Sequence, residues 1–200
     1  MKNQNKDWKG TAKSLFSLLG ASNHVAEARA ERDYYATDPA SLEALLKVET
    51  FAHKIWEPAC GEGHLSKCLK KYGYSVRESD IVDRIGNEVK DFLFFNQEKW
   101  DGDIITNPPY SVAQEFVEQA LSCVSTGSKV AMFLRLLFCE GLRRKQFFSF
   151  APPRTIYVFS RRQVCAKNGD FSKVKSSSAV CYAWFVWVKG YKGKTNIEWL

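Results

Sequence analysis

The most specific chemistry in the sequence sits in one turn, Asn107-Pro108-Pro109-Tyr110. It follows the apolar run Asp103-Ile104-Ile105-Thr106, and proline ends a central strand because it has no N–H for the ladder. With two prolines, the turn is rich in acceptors and poor in donors. The Asn107 side-chain oxygen and the Pro108 carbonyl can therefore both receive hydrogens from one amino group. Tyr110 offers a flat face for a planar base or amide. Accepting both hydrogens draws density onto the nitrogen, which an aromatic amine needs before it attacks a methyl donor. The plain alternative is an ordinary proline turn.

A second group precedes it. Glu57-Pro58-Ala59-Cys60-Gly61-Glu62-Gly63 places two glycines where a strand runs into a helix, so the backbone can turn tightly and approach a ligand closely. Glu57, an acid just before the turn, suits a cationic or amine-bearing ligand. Asp80 ends the next expected strand and is placed to accept hydrogen bonds from a ribose, with Asp83 as a competitor for that role. A G-x-G alone is also found in plain strand-to-helix turns.

The elements around these turns alternate. Asp38-Pro39 caps a helix with Leu42, Leu45 and Leu46 inward. Strands are expected at 54–56, around Val76, at 103–106, 129–137, 155–159 and 179–188. Helices are expected at 64–72, 111–122 and 140–148. Such alternation predicts an α/β fold, a mostly parallel sheet with helices on both faces. Residues 1–30 read as a basic arm with one short helix, and 31–200 as a single domain. Residues 160–178 read as a basic, Ser-rich loop, and 191–200 as a short tail. Trp184, Phe185 and Trp187 read as packing of a late strand, Phe147, Phe148 and Phe150 as a core-facing helix end, and His64 as a helix start.

The 200 residues carry a net charge of +7, with 45% hydrophobic and 26% charged residues, which supports a real core and excludes wholesale disorder. From Arg135 to Lys175, ten Lys/Arg stand against two acids, a local charge of +8. A polyanion is the natural partner of such a segment, although basic loops also serve solubility alone. No apolar run is long enough to span a membrane, and the N-terminus lacks a secretory signal, so a cytoplasmic protein is expected. The six cysteines have no C-x-x-C spacing and read as reduced thiols, mostly core fillers. Three scattered histidines make no metal site.

At these residues the sequence resembles a known family. The glycine turn followed by Asp-Ile-Ile-Thr-Asn-Pro-Pro-Tyr is similar to the amino-group methyltransferases that use S-adenosylmethionine, above all the N6-adenine DNA methyltransferases. Asp33-Tyr34-Tyr35-Ala36-Thr37-Asp38-Pro39 resembles the segment before the first strand in small phage and prophage members. The resemblance covers roughly residues 30–190 and implies a Rossmann-like, seven-stranded class I methyltransferase fold. It further implies that Glu57, Ala59, Gly61 and Gly63 line the methionine and ribose part of the cofactor and that Asp80 holds the ribose hydroxyls. Asp91 would bind the cofactor's adenine amine and Phe92 would pack on its ring. Tyr35, Ala36 and Thr37 would close over the methionine end, beside Asn107. The catalytic clamp would be Asn107, Pro108, Pro109 and Tyr110. Many relatives have glutamate where Asp80 stands.

No separate target-recognition domain is expected in the chain. Contacts to nucleic acid are therefore expected from Arg143, Arg144 and Lys145, from the loop residues Arg161, Arg162, Lys167, Lys173 and Lys175, and from the N-terminal arm. Duplex DNA with one adenine flipped into the pocket is the expected substrate of a monomeric enzyme, with no metal and no general base required. RNA adenine or a protein glutamine fits the same clamp, although a glutamine substrate fits poorly with a +8 segment. A nucleic-acid-binding module that keeps the fold without turnover is the remaining alternative.

Overall fold

The computed structural model describes residues 35–94, 98–161, 163, 165–167 and 180–200; for 35, 36 and 165–167 it describes the backbone. The expected arm at 1–30 lies outside these residues. Asp38 opens the first helix as expected: its carboxylate accepts from Ala40 N at 2.9 Å, and Pro39 occupies the first turn of α1 (Pro39–Val48).

The main sheet contains β2 (Lys54–Glu57), β3 (Ser75–Asp80), β4 (Glu88–Val89), β5 (Asp103–Thr106), β6 (Lys129–Arg135), β7 (Thr155–Val158), β9 (Tyr182–Val188) and β10 (Asn196–Trp199). Its order is β10-β7-β9-β6-β5-β2-β3-β4. Only β9 runs antiparallel to its neighbours. A separate two-stranded sheet pairs β1 (Tyr35–Thr37) antiparallel with β8 (Cys165–Lys167), bringing Thr37 opposite Cys165. The helices between strands are α2 (His64–Lys71), α3 (Ala113–Cys123) and α4 (Leu142–Phe150).

Alternation along the buried strands sends side chains to two cores. Trp56, Ile104, Val130 and Met132 pack with Phe116, Val117 and Ala120 of α3 and Phe147 of α4. Ile55, Ile105, Ala131 and Phe133 pack on the other face with Leu42 and Leu45 of α1 and Leu65 and Leu69 of α2. This is the mostly parallel sheet, covered on both faces, that the alternation of elements predicts. Trp184 and Phe185 are fully buried and Trp187 nearly so.

Several boundaries differ from expectation. The tail is a real strand: β10 pairs with β7 in parallel, so the sheet has an eighth strand. The expected 160–178 loop contributes β8, while most of the remainder lies outside the described residues. The strand expected to reach Leu137 ends at Arg135, and a 3-10 turn spans Leu136–Cys139. Gly141, at φ 105°, delays α4 by two residues, which leaves Phe147 buried but Phe150 68% exposed rather than core-facing. Of the cysteines, Cys60, Cys68 and Cys123 are buried, whereas Cys139 and Cys181 are exposed. Among the described residues, no helix is long and apolar enough to cross a membrane, and no cluster of three metal-ligating side chains occurs.

At the N-terminal edge of the sheet, Glu49 holds three elements together. Its buried carboxylate pairs with Lys129 Nζ at 2.5 Å and with Arg154, and it accepts the Tyr157 hydroxyl at 2.9 Å. Burial and the adjoining carboxylate push the Tyr157 phenol up to about 12. Removing one member of a buried ionic network leaves the others desolvated and uncompensated. Glu49→Ala should therefore lower stability by about 3 kcal/mol in urea unfolding; a loss below about 1 kcal/mol would show the network to be dispensable.

Candidate active site

The strand order reverses between β2 and β5: the chain proceeds outward from β2 through β3 and β4, then crosses back to β5. At such a switch point the flanking loops diverge and leave a crevice beyond the C-terminal strand ends. Trp56 pairs with Ile104, so the Glu57–Gly63 turn and the Asn107–Tyr110 turn leave adjacent parallel strands at the same edge. The two motifs are thus brought to the two sides of one crevice.

The glycine turn is held from its neighbour. Gly61 N donates to Asp80 Oδ2 at 2.9 Å, Cys60 N donates to the Ser79 carbonyl at 3.0 Å, and the Trp56 indole donates to Ser79 Oγ at 2.9 Å. Gly61 and Gly63 have φ of 53° and 73°, conformations that strain any residue with a Cβ. A Cβ on Gly63 would also lie 2.7 Å from Ile85 Cδ1. Gly63 is the residue before α2, and no side chain caps that helix. His64 is its first residue, the helix-start role expected of it.

Asp80 also accepts from Val82 N at 3.2 Å, so it organises both the glycine turn and its own loop. Its competitor Asp83 accepts from Gly86 N at 2.7 Å and serves a turn further out. Glu57 is 2% exposed and accepts from the Ser66 hydroxyl. Burial raises its pKa to about 8, the Ser66 bond opposes the rise, and the neighbouring Glu78 and Asp80 charges add to it. Ala59 is half-buried against the core.

Asp91 lies two residues beyond Val89, which pairs with Asp80, so it reaches the same edge. Its side chain is exposed and accepts from Leu93 N at 3.0 Å. Phe92, expected on an adenine ring, is placed elsewhere. It is 1% exposed, with its ring edge-on to Trp56 at 5.2 Å and 5.1 Å from Phe116, so no ring face is accessible. The apolar surface the sequence reading missed is Ile81 and Val82, 67% and 43% exposed, directly after Asp80. Their loop is stitched by Asn87, whose side chain accepts from Arg84 N at 3.0 Å and donates to the Val82 carbonyl at 3.2 Å. Two exposed β-branched residues beyond a strand-end carboxylate were the available signal.

On the other side of the crevice, Pro108 is buried and Pro109 exposed, and Tyr110 opens a 3-10 turn, Tyr110–Val112, that leads into α3. Asn107 Nδ2 donates to Thr37 Oγ1 at 2.8 Å, and Thr37 is 2% exposed. The half-buried Tyr110 ring has the Arg135 guanidinium 4.8 Å from its centroid and Tyr182 at 6.0 Å. A base stacking on Tyr110 therefore requires the exposed Arg135 to share or vacate that ring.

The basic triplet is divided by its packing. Arg144 is half-buried, stacked 4.1 Å over Phe138 and bonded to Gln114, and burial lowers its pKa. It belongs to the scaffold rather than to an open phosphate-binding face. Arg143 pairs with Glu115 at 2.9 Å but stays 71% exposed, and Lys145 and Arg161 are exposed. The backbone of Lys167 pairs with Tyr35 in the small sheet. Arg162, Lys173 and Lys175 lie outside the described residues.

No family model matches the chain, and no curated protein does. Solved structures do. A modification subunit ascribed to a type I restriction enzyme of Vibrio vulnificus aligns with a TM-score of 0.55 at 12% identity, over 96% of this chain and 52% of that one, so the chain spans about half its length. A protein assigned as a class I S-adenosylmethionine-dependent methyltransferase of Listeria monocytogenes aligns at 0.53 and 12% identity, over 94% and 71%. A protein assigned as an RNA methyltransferase of Pyrococcus horikoshii aligns at 0.50 and 14% identity, over 90% and 99%. The fold is that of the Rossmann-like class I methyltransferases.

The raised pKa of Glu57 has a consequence for stability. A carboxyl whose folded pKa lies above its unfolded value favours the folded state when protonated, and that advantage is lost as pH rises from about 4.5 to about 8. Glu57→Gln keeps an acceptor for Ser66 and removes the titration. Its stability relative to the parent should rise by at least about 1 kcal/mol between about pH 5 and pH 9 in urea unfolding. A pH-independent difference would mean Glu57 is ionised in the fold.

Proposed function

We propose that the protein transfers a methyl group from S-adenosylmethionine to the N6 amino group of adenine in DNA. The observation that supports this reading best is the pairing of the two turns: an acceptor-rich Asn-Pro-Pro-Tyr turn faces an acid-rich glycine turn across the topological switch point of a methyltransferase fold. The residues fit the cofactor. Asp80 and Glu78, the latter shared with Lys70 at 2.6 Å, stand beside the buried Glu57 carboxyl at one strand edge, an acidic setting that suits a ligand with a sulfonium and an ammonium group. Gly61 and Gly63 leave room for close backbone approach, Asp80 faces the ribose, and Asp91 with Ile81 takes the adenine. S-adenosylmethionine supplies an electrophilic methyl group on a good leaving group.

The chain's own task is then positioning. Asn107 and the Pro108 carbonyl accept the two N6 hydrogens and turn the amine lone pair toward the methyl, while Tyr110 holds the base plane. The proton leaves after transfer, so no general base is needed. Thr37 acts as a positioning residue: by accepting from Asn107 Nδ2 it turns the amide oxygen toward the substrate. DNA is favoured by the +8 charge of residues 135–175 and by the likeness to a restriction-modification subunit.

The test is methyl transfer from labelled S-adenosylmethionine to unmethylated duplex DNA and to RNA, read as nucleosides by mass spectrometry. N6-methyladenine should appear in DNA only. Asn107→Ala should lower the rate by about a hundredfold or more while calorimetric cofactor affinity is retained. Label in RNA alone, or near-parental activity of the variant, would overturn the reading. Thr37→Val should lower kcat about tenfold with little change in KM for the cofactor, and Thr37→Ser should restore it. Equal losses in the Val and Ser variants would assign Thr37 to packing alone.

A further inference from the structure

Two leucines near the proposed base clamp are held out into solvent by a rigid support. β6 runs parallel to β5, with Met132 paired to Thr106, so the chain leaving β6 emerges one strand over from Asn107. There, Leu137 in the 3-10 turn is 68% exposed and Leu142 at the start of α4 is 86% exposed. Between them Phe138 is buried against Phe148, Phe185 and Trp187. Arg144 stacks on Phe138 and bonds Gln114, and Arg143 pairs with Glu115. Gln114 and Glu115 lie in the first turn of α3, four and five residues after Tyr110. The leucine-bearing segment is thereby fastened to the exit of the Asn-Pro-Pro-Tyr turn. An open cleft of about 790 Å3 runs beside this segment, lined by Cys139, Glu140, Leu142, Lys145 and Phe148 among others.

Exposed leucine costs solvation, and here exposed cations flank the leucines along the chain: Arg135 before Leu137, and Arg143 and Lys145 after Leu142, with the exposed Glu140 the one acid between. Apolar tips between cations match a double helix whose phosphates meet the charges while the tips enter between bases. We propose that Leu137 and Leu142 form a wedge that enters duplex DNA beside the target adenine and holds open the base stack from which that adenine has swung out. This rests on the proposed DNA methyl transfer. The wedge gives the clamp access to a paired base, because the opening and the capture are built on one fastened unit.

The wedge has work to do only where bases are stacked and paired. The full chain and its Leu142→Gln and Leu137→Gln variants are therefore assayed with labelled S-adenosylmethionine on three forms of one unmethylated DNA: native duplex, heat-denatured strands, and a duplex whose adenines face cytosine. Both side chains are exposed, so folding should be untouched. The expected result for Leu142→Gln is a loss of about tenfold or more on native duplex, little change on denatured strands, and partial recovery on the mispaired duplex. Leu142→Met should stay near the parental rate. Equal rates on native duplex for parent and both variants would overturn the wedge while leaving the methyl-transfer reading intact. Equal losses on all three substrates, or a change in oligomeric state on substitution, would assign the leucines to another contact. Absence of transfer by the parent on any DNA would overturn both readings together.

Discussion

Three carboxylates meet where β2 and β3 end, and the rest of the site is arranged around the way the fold tolerates them. Glu57 is buried with the Ser66 hydroxyl on it, and Glu78 and Asp80 stand close enough to push its proton affinity upward. Like charges in a low dielectric are costly unless a proton, a donor or a cation intervenes. Burial and those charges raise the proton affinity of Glu57, Lys70 pairs with Glu78 at 2.6 Å, and backbone donors serve Asp80: Gly61 N and Val82 N both point at it. Those donors fix the glycine turn, whose positive φ values would strain any residue with a Cβ, and at Gly63 such a Cβ would also displace the Ile85 side chain. One electrostatic constraint therefore sets the turn and the loop that presents Ile81.

The other half of the site depends on a different kind of restraint. Proline stops β5 at the edge, and the chain must leave the sheet there, so Asn107 stands at the mouth of the crevice by covalent geometry. What the turn cannot supply by itself is the orientation of the amide, and Thr37 supplies it from a strand seventy residues earlier in the chain. That strand is in turn paired with β8, from the basic segment after β7. The amide is thus held through a small sheet whose other strand, Cys165–Lys167, comes from the basic part of the sequence.

Local signals made the two turns, the capped α1 and the alternating strands legible in the sequence, because each depends on residues within a few positions. The misses share the opposite property. β10 has a polar, lysine-rich approach and weak strand propensity, and it exists because β7 offers it a parallel edge some forty residues earlier in the chain. β1 and β8 exist only as a pair. Phe92 reads as a ring beside an acid, but Trp56 and Phe116, distant in sequence, claim it for the core. Arg144 reads as one of three exposed cations, yet Phe138 and Gln114 hold it on the scaffold. Side chains whose role is decided by remote partners are the ones that pattern and resemblance misplace.

The same sorting limits what the net charge of +7 means. Arg77 is bonded to Glu88 and Glu98 and lies 4.3 Å over Trp56, and Lys129 and Arg154 serve Glu49. These cations hold the sheet together and have little left for a polyanion. Arg135, Arg143, Lys145 and Arg161 are the described ones with exposure to spare on the basic segment. Phosphate contacts of this kind add affinity and orientation but read no sequence. On the proposed reading, discrimination then comes from the crevice itself, where the Asn107 and Pro108 acceptors admit a base by its amino group. Adenine, cytosine and guanine each carry such a group and thymine carries none, so the turn that prepares the nucleophile excludes thymine, and the choice among the amino-bearing bases falls to the shape of the crevice around them.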